Sequence, residues 1–164
     1  MRVVLDTCIL KLATFPAENN ASELIYELAR AGLIEAWVSP AILEEYADVL
    51  GDLPEFVAEI IESFPVCYPL TELSVIRHEP DNRFLECALA ANAEFIVTVN
   101  TAPGHFDRKQ YQALNVARPG EFLNVARRQL LLPVSDNYFC RRRGSKRVPP
   151  TTWRYSVTTG RLVA

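Results

Sequence analysis

Hydrophobic and polar positions along this chain fall into two alternating periods. Residues 2–5, Arg-Val-Val-Leu, give an apolar run without polar alternation that stops at a carboxylate, Asp6. Such a run predicts a strand buried on both faces. A second run, Phe-Ile-Val-Thr-Val at residues 95–99, ends at Asn100. Shorter apolar runs at 34–38 and 66–70 predict further strands, and 114–117 predicts an edge strand. Helical spacing fills the intervals. Asn20 followed by Glu23 resembles a capping arrangement and opens a helix to about Arg30, with Leu24, Ile25 and Leu28 on one face and Gly32 as the stop. Ser39-Pro40 opens another, on which Ile42, Leu43, Tyr46, Val49 and Leu50 share an apolar face. A third spans about 54–64. A fourth runs from Pro80-Asp81-Asn82 to about Ala93 with Phe84, Leu85, Ala88 and Ala91 on one side, and Pro119 starts the last, to about Arg128. The apolar stretch 9–15 closes at Pro16 and carries no assignment of its own, and 101–110 reads as a loop with at most a short helical turn.

Strands alternating with helices predict a parallel sheet covered by helices on both faces. Ligands of such sheets bind beyond the carboxyl ends of the strands, where strand order reverses. Asp6 and Asn100 end the two most apolar strands, Asp81 opens the helix before the second, and Glu45 lies just beyond the apolar face of its helix while Glu44 points away. If the two strands are neighbours, all four side chains converge. Each also has a plainer account. Asp6 would cap the turn that follows, Asp81 would cap its helix, and Glu45 would be an ordinary boundary residue.

Composition narrows the chemistry. The 164 residues suit one domain, and 49% hydrophobic with 23% charged residues is an ordinary globular balance. No apolar run reaches the roughly 18 residues of a membrane span, and Asp6 interrupts the N-terminal run too early for a secretory signal; a cytoplasmic protein is expected. Cys8, Cys67, Cys87 and Cys140 are widely spaced, which disfavours a structural zinc site or a redox pair. With His78 and His105 as the two histidines, both read as structural or exposed, any metal is expected to be bound mainly by oxygen. Three carboxylates and an amide held together repel unless a divalent cation is shared, and oxygen ligands suit Mg²⁺ or Mn²⁺. Such a cation would activate water and steady charge on a phosphoryl oxygen.

Five blocks in order carry a resemblance: Val4-Leu5-Asp6-Thr7; Ser39-Pro40-x-Ile-Leu-x-Glu45-Tyr46 with Val49-Leu50; Glu79-Pro80-Asp81-Asn82-x-Phe84-Leu85-Glu86-x-Ala88; Ile96-Val97-Thr98-x-Asn100; and Pro119-Gly120-Glu121-Phe122-Leu123. Over about residues 2–125 the chain resembles the PIN-domain nucleases, and within them the bacterial and archaeal VapC-like toxin branch. The resemblance implies a three-layer α/β/α fold with a central, mostly parallel sheet, and a divalent-metal-dependent endoribonuclease. Carried over by position, it implies Asp6, Glu45 and Asp81 as catalytic acids and, with Asn100, as metal ligands. Water activated at the metal would then cut an RNA phosphodiester in line, leaving a 3′-hydroxyl and a 5′-phosphate. Thr7 and Thr98 would hydrogen-bond the acids, and Asp107 could supplement them from the adjacent loop. In two places the chain departs from the family pattern. Cys8 stands where an Asn follows Asp-Thr, and Asn100 stands where a fourth Asp is usual. Asn can coordinate through its carbonyl but brings no charge, so weaker metal affinity is expected.

Residues 1–128 are therefore expected to form the PIN-like domain and 129–164 a separate extension. Charge supports the division. Residues 1–128 hold 10 Lys/Arg against 19 Asp/Glu, while 129–164 hold 7 against 1. The cluster Arg141, Arg142, Arg143, Lys146 and Arg147 suits phosphates, and the alternation of Trp153, Tyr155 and Val157 with Arg154, Ser156 and Thr158 hints at an edge strand. A disordered, solvated tail is the plainer reading of the same residues. Two functions follow, a metal-dependent ribonuclease, as the toxin of a type II toxin-antitoxin pair with a small antitoxin partner, or a weakened PIN domain that binds RNA or protein without turnover. A homodimer is compatible with either. A phosphatase using Asp-x-Asp is excluded because position 8 is Cys.

Overall fold

The carboxyl ends of the two most apolar strands lie side by side. In the computed structural model, a five-stranded sheet runs in the order Glu35–Ala36 (β2), Arg2–Leu5 (β1), Phe95–Val97 (β3), Leu114–Ala117 (β5) and Gln110–Tyr111 (β4). The structure describes residues 1–15, 17, 18 and 20–130, together with the backbone of 154–156 and 161–163. The first three junctions are parallel and the β5–β4 junction is antiparallel, with Val3 opposite Phe95 and Leu5 opposite Val97. Strand order reverses beside β1, because the chain passes first to β2 on one side and then to β3 on the other.

Among the described residues, six helices cover the sheet: Thr7–Ala13 (α1), Ala21–Arg30 (α2), Pro40–Val49 (α3), Pro54–Ser63 (α4), Glu79–Ala90 (α5) and Pro119–Leu130 (α6). α2 packs on α1 and α6, α3 packs on α4 and α5, and α5 and α6 lie directly on sheet strands. The result is a three-layer α/β/α fold with a mostly parallel central sheet. Val3, Val4, Leu5, Ile96 and Val97 are fully buried between the layers, as expected for strands covered on both faces. The expected caps are present: Asn20 accepts from the backbone N–H groups of Ser22 and Glu23, Ser39 accepts from Ile42, and Gly32 ends α2 with a left-handed φ of 69°.

Four local expectations are corrected. The unassigned stretch after Asp6 is helix α1, with Ile9 and Leu10 buried. Asp6 starts it by taking the Cys8 N–H on its side chain, so strand and helix meet with no loop between them. Residues 66–70 form no strand apart from a bridge between Val66 and Val38. Pro69 has no N–H to give a ladder, and Leu70 is 99% exposed. β5 is internal rather than an edge, because a two-residue hairpin with Gln112 at φ 55° folds β4 over its far side. Val49 is exposed while Ile42, Tyr46 and Leu50 carry the buried face of α3.

The connection after α4 is held from α5 rather than by a sheet. Asn82, buried in the first turn of α5, accepts the backbone N–H groups of Val75 (3.0 Å) and Ile76 (2.9 Å) and donates to the carbonyls of Ile76 (2.9 Å) and Glu79 (3.2 Å). Glu86 accepts the Leu73 N–H at 2.6 Å. Beyond α6, Arg154–Ser156 (β6) and Arg161–Val163 (β7) pair antiparallel, which supplies the strand expected around Tyr155. Trp153, Val157, Cys140 and the basic cluster Arg141, Arg142, Arg143, Lys146 and Arg147 lie outside the described residues. No helix among the described residues is long and apolar enough to cross a membrane.

Replacing Asn82 with Ala strips four backbone groups of their partner at once. At about 1 kcal/mol per hydrogen bond, Asn82→Ala is expected to cost roughly 4 kcal/mol. The urea midpoint should fall with an unchanged slope. A loss under about 1 kcal/mol would mean that water takes over these bonds and the clamp is not structural.

Candidate metal centre

Asp6, at the end of β1, is 8% exposed and already divided between two tasks. Its Oδ1 accepts the Cys8 N–H at 3.1 Å and so caps α1, while its Oδ2 accepts the Thr98 hydroxyl at 2.5 Å. Thr98 follows β3, is fully buried, and its Oγ1 accepts the Asn100 N–H at 2.8 Å. A chain of donation thus runs from the Asn100 backbone through Thr98 to the Asp6 carboxylate. It orients one Asp6 oxygen from the neighbouring strand, and register fixes it: Leu5 pairs with Val97, and the Asp6 N–H donates to the Val97 carbonyl at 3.0 Å.

Glu45 reaches the same end of the sheet from α3. The next residue, Tyr46, is fully buried and its hydroxyl donates to the Leu5 carbonyl, which ties α3 to the last residue of β1. Thr7 Oγ1 donates to Glu45 Oε1 at 2.5 Å. The other oxygen, Oε2, is buried and has no hydrogen-bond partner. Burial pushes the Glu45 carboxyl above its usual range; the Thr7 hydrogen bond opposes this, Asp6 raises it further, and Arg83 and Asp81 act on it in opposite senses. Glu45 is therefore within the electrostatic reach of both other acids.

Asp81, in the first turn of α5, is 6% exposed. Its two oxygens face two imidazoles. Oδ1 lies 2.9 Å from His78 Nδ1 and Oδ2 lies 3.0 Å from His105 Nδ1. The rings stand 4.4 Å apart, and Asn100 Nδ2 lies 2.9 Å from the same His105 nitrogen. Among the described residues, the side chains whose ligand atoms lie within 4.8 Å of one another are His78, Asp81 and His105. Asp6 and Glu45 stand outside that group.

His78 is exposed and His105 half-buried, in keeping with the reading of both as structural or exposed, but both also meet at Asp81. For His78 a signal existed, since it precedes Asp81 by three residues at a helix start, where such residues share a face. For His105 there was none. It arrives because Gly104, at φ 91°, turns the loop and accepts the His78 N–H at 2.8 Å, stitching the two segments together. Asp107 is exposed, and one of its carboxylate oxygens accepts from the Tyr111 hydroxyl at 3.3 Å. Cys8 Sγ lies 3.7 Å from Thr98 Oγ1; burial, then the charge of Asp6, pushes this thiol up to about 12, so it stays protonated and offers no thiolate.

A divalent cation fits the acids. A buried oxygen without a partner, on a carboxyl pushed up by burial and further by the charge of Asp6, is an uncompensated group, and positive charge is what it lacks. Asp6 and Glu45 each keep one oxygen on a threonine hydroxyl, which leaves the orientation of the other settled before any ion arrives.

No curated protein matches the chain. The PIN domain family matches residues 2–102, a span that includes Asp6, Glu45, Asp81, Thr98 and Asn100 and ends before His105. PIN domains are typically metal-dependent nucleases. With more than half of its length matched, the chain belongs to the PIN domain family.

Proposed function

We propose that this protein is an endoribonuclease that hydrolyses RNA phosphodiester bonds with the help of Mg²⁺ or Mn²⁺. The observation that carries the reading is the buried, unpartnered Oε2 of Glu45, held within reach of the charges of Asp6 and Asp81. Asp6, Glu45 and Asp81 would hold the cation, with the Asn100 amide as a neutral fourth oxygen. When bound, the cation supplies positive charge for the phosphate and acidity for an attacking water. The chain's own residues do the rest. Thr98 and Thr7 fix the Asp6 and Glu45 carboxylates, and burial of Asp6, Thr7, Asp81 and Thr98 limits their competition with bulk water. Asn100 adds no charge, and Cys8 adds none at neutral pH, so the site depends on three carboxylates.

The ordered blocks shared with the VapC-like branch support a toxin role, with a small antitoxin protein as the inhibiting partner and the cytoplasm as the place of action. A second reading draws on Asn100, which lowers the negative charge of the site, and on Cys8, whose protonated thiol stands where the family pattern has a supporting amide. It is a PIN domain that binds RNA or protein without turnover. One experiment separates them, Mn²⁺-dependent cleavage of a mixed RNA by the wild type, Asp6→Asn and Asp81→Asn. Cleavage by the wild type, reduced at least about 100-fold in either variant with the fold intact, supports the enzyme. RNA bound but not cut at any Mn²⁺ concentration supports the binding module.

Thr98→Val removes the hydroxyl between Asn100 and Asp6 without removing volume. A fall in kcat/KM of about 10–100-fold is expected, with a rise in the Mn²⁺ concentration for half-maximal rate. An unchanged metal requirement would mean that Asp6 needs no help from β3.

Glu45→Gln tests the electrostatics without RNA. A carboxyl whose folded pKa is raised favours folding while protonated, and this contribution is lost as pH rises through the folded value. The metal-free variant should therefore melt higher than the wild type at pH 7.5, by about 2–4 °C if relief of the charge is worth about 1 kcal/mol. The gain should vanish near the usual carboxyl value of 4.5, where both side chains are neutral. Mn²⁺ should raise the melting temperature of the wild type and leave the variant unmoved. Equal melting at both pH values would remove the argument from crowded charge.

A further inference from the structure

The two histidines at Asp81 form a donor set unlike that of the three acids. We propose that His78 Nδ1, the Asp81 carboxylate and His105 Nδ1 bind a borderline transition ion of the Zn²⁺ class, at a position that shares Asp81 with the proposed nuclease centre. The inference adds nitrogen ligands to that region and does not depend on RNA cleavage.

Geometry points to such an ion. In a tetrahedral site with bonds of about 2.0–2.1 Å, neighbouring ligand atoms lie roughly 3.3 Å apart. Here the two nitrogen-to-oxygen separations are 2.9 and 3.0 Å, and all the ligand atoms fall within 4.8 Å of one another. Small movements of the exposed His78 ring would open the set around an ion, since that side chain is 48% accessible while Asp81 is 9%. Imidazole with carboxylate suits Zn²⁺ and its neighbours, whereas Mg²⁺ prefers oxygen alone in a strict octahedron.

A second observation comes from His105 Nδ1, which lies 3.0 Å from a carboxylate oxygen and 2.9 Å from the Asn100 Nδ2. The first partner accepts only and the second donates only. A single ring nitrogen cannot serve both: with its proton it faces the amide hydrogens, and without it the carboxylate lone pairs. An ion between Nδ1 and the carboxylate removes the conflict. The imidazole proton moves to Nε2, Nδ1 becomes a ligand, and the amide turns to offer its oxygen as a fourth ligand or to a bound water. The backbone is already arranged for this, because the His78 N–H donates to Gly104 next to His105, and Asn82 clamps the approach to His78.

The rival arrangement is a reversed Asn100 amide with both imidazoles donating to Asp81 and no ion. Zn²⁺ calorimetry and the visible d–d bands of Co²⁺ decide between them, on tag-free protein with no RNA present. The wild type is expected to bind one Zn²⁺ and to give intense Co²⁺ bands of low coordination number. His78→Ala and His105→Gln should each weaken Zn²⁺ binding at least about 10-fold and bleach the Co²⁺ bands. With no other ion present, Asp6→Asn should bind Zn²⁺ within about twofold of the wild type, because Asp6 is not among the ligand atoms of this set. Circular dichroism of each variant confirms the fold.

The proposal is overturned if the wild type binds no Zn²⁺. It is equally overturned if both histidine variants bind as the wild type does, which would move the ion to another donor pair such as Cys67 and Cys87, whose sulfurs lie 3.4 Å apart. Loss of Zn²⁺ in Asp6→Asn would fuse the two sets into one acid-dependent centre and also refute it. Zn²⁺ bound as expected without RNA cleavage under any metal sinks the nuclease reading alone, and Mn²⁺-dependent cleavage without Zn²⁺ binding sinks this one alone.

Discussion

The hydrogen bond from Thr98 to Asp6 joins the two halves of this fold at the point where the sheet reverses. β1 ends at Leu5, and Asp6 converts strand into helix by capping α1 with one oxygen while the other accepts from the residue after β3. The capping account and the ligand account of Asp6 are thus compatible, because a carboxylate has two oxygens and roughly four lone-pair sites. The register of two buried strands sets the distance between Asp6 and Thr98, and neither side chain has much freedom to leave it. Everything else at this end of the sheet is hung from that junction: Tyr46 fastens α3 to the Leu5 carbonyl, and Thr7, one residue on, reaches Glu45.

Charge is the constraint that turns this geometry into chemistry. Packing would be better served by an amide at position 45, where a buried oxygen finds no donor and burial disfavours ionisation. Retaining an acid beside two others costs stability in the metal-free protein and makes sense where a cation offsets it. Besides the Thr7 hydrogen bond, the cation Arg83 lowers the Glu45 carboxyl, but it is 40% accessible and 3.8 Å from Glu79, so water and a second acid dilute its effect. A permanent internal counterion is thus weak at this position, which leaves room for an exchangeable one.

Legibility in the sequence followed the length scale of the interactions. Strands β1 and β3, helices α2 to α6 and the caps Asn20 and Ser39 were readable because their signals sit within a few residues: an unbroken apolar run, a helical stripe, a side chain accepting from the third N–H. The electrostatic reach of Asp6 and Asp81 to Glu45 has a simple basis, since strand ends and helix starts in a parallel sheet face the same way. Helix α1 escaped because its cap had been assigned to the site. β4 escaped because two residues turned by Gln112 carry no pattern. His105 escaped for a deeper reason. Its partner is 24 residues away in sequence, and what brings it there is a backbone bond from His78 to Gly104, which no side-chain pattern records.

The position of the histidines also bears on how the acids can act. Asp81 presents one oxygen to each imidazole and Asp6 divides its oxygens between the Cys8 N–H and the Thr98 hydroxyl, whereas Glu45 lends one oxygen to Thr7 and holds the other without a partner. A cation approaching the three acids would therefore meet one carboxylate with an unpartnered oxygen and two whose oxygens are each already engaged. Recruiting Asp81 means breaking at least one imidazole contact, and a hydrogen bond to an imidazole is a smaller obstacle than a bound ion would be. The occupancy of the nitrogen-bearing set thus sets the availability of Asp81 to the acidic one. Because the two sets share a single carboxylate, binding at one must be felt at the other, and by linkage the effect is equal in both directions. Asn100 stands at the same junction, with its backbone N–H on the Thr98 hydroxyl that holds Asp6 and its amide on His105. A fourth carboxylate there would deepen the acidic set and also repel Asp81 across His105, whereas an amide lets the two sets meet without a further charge.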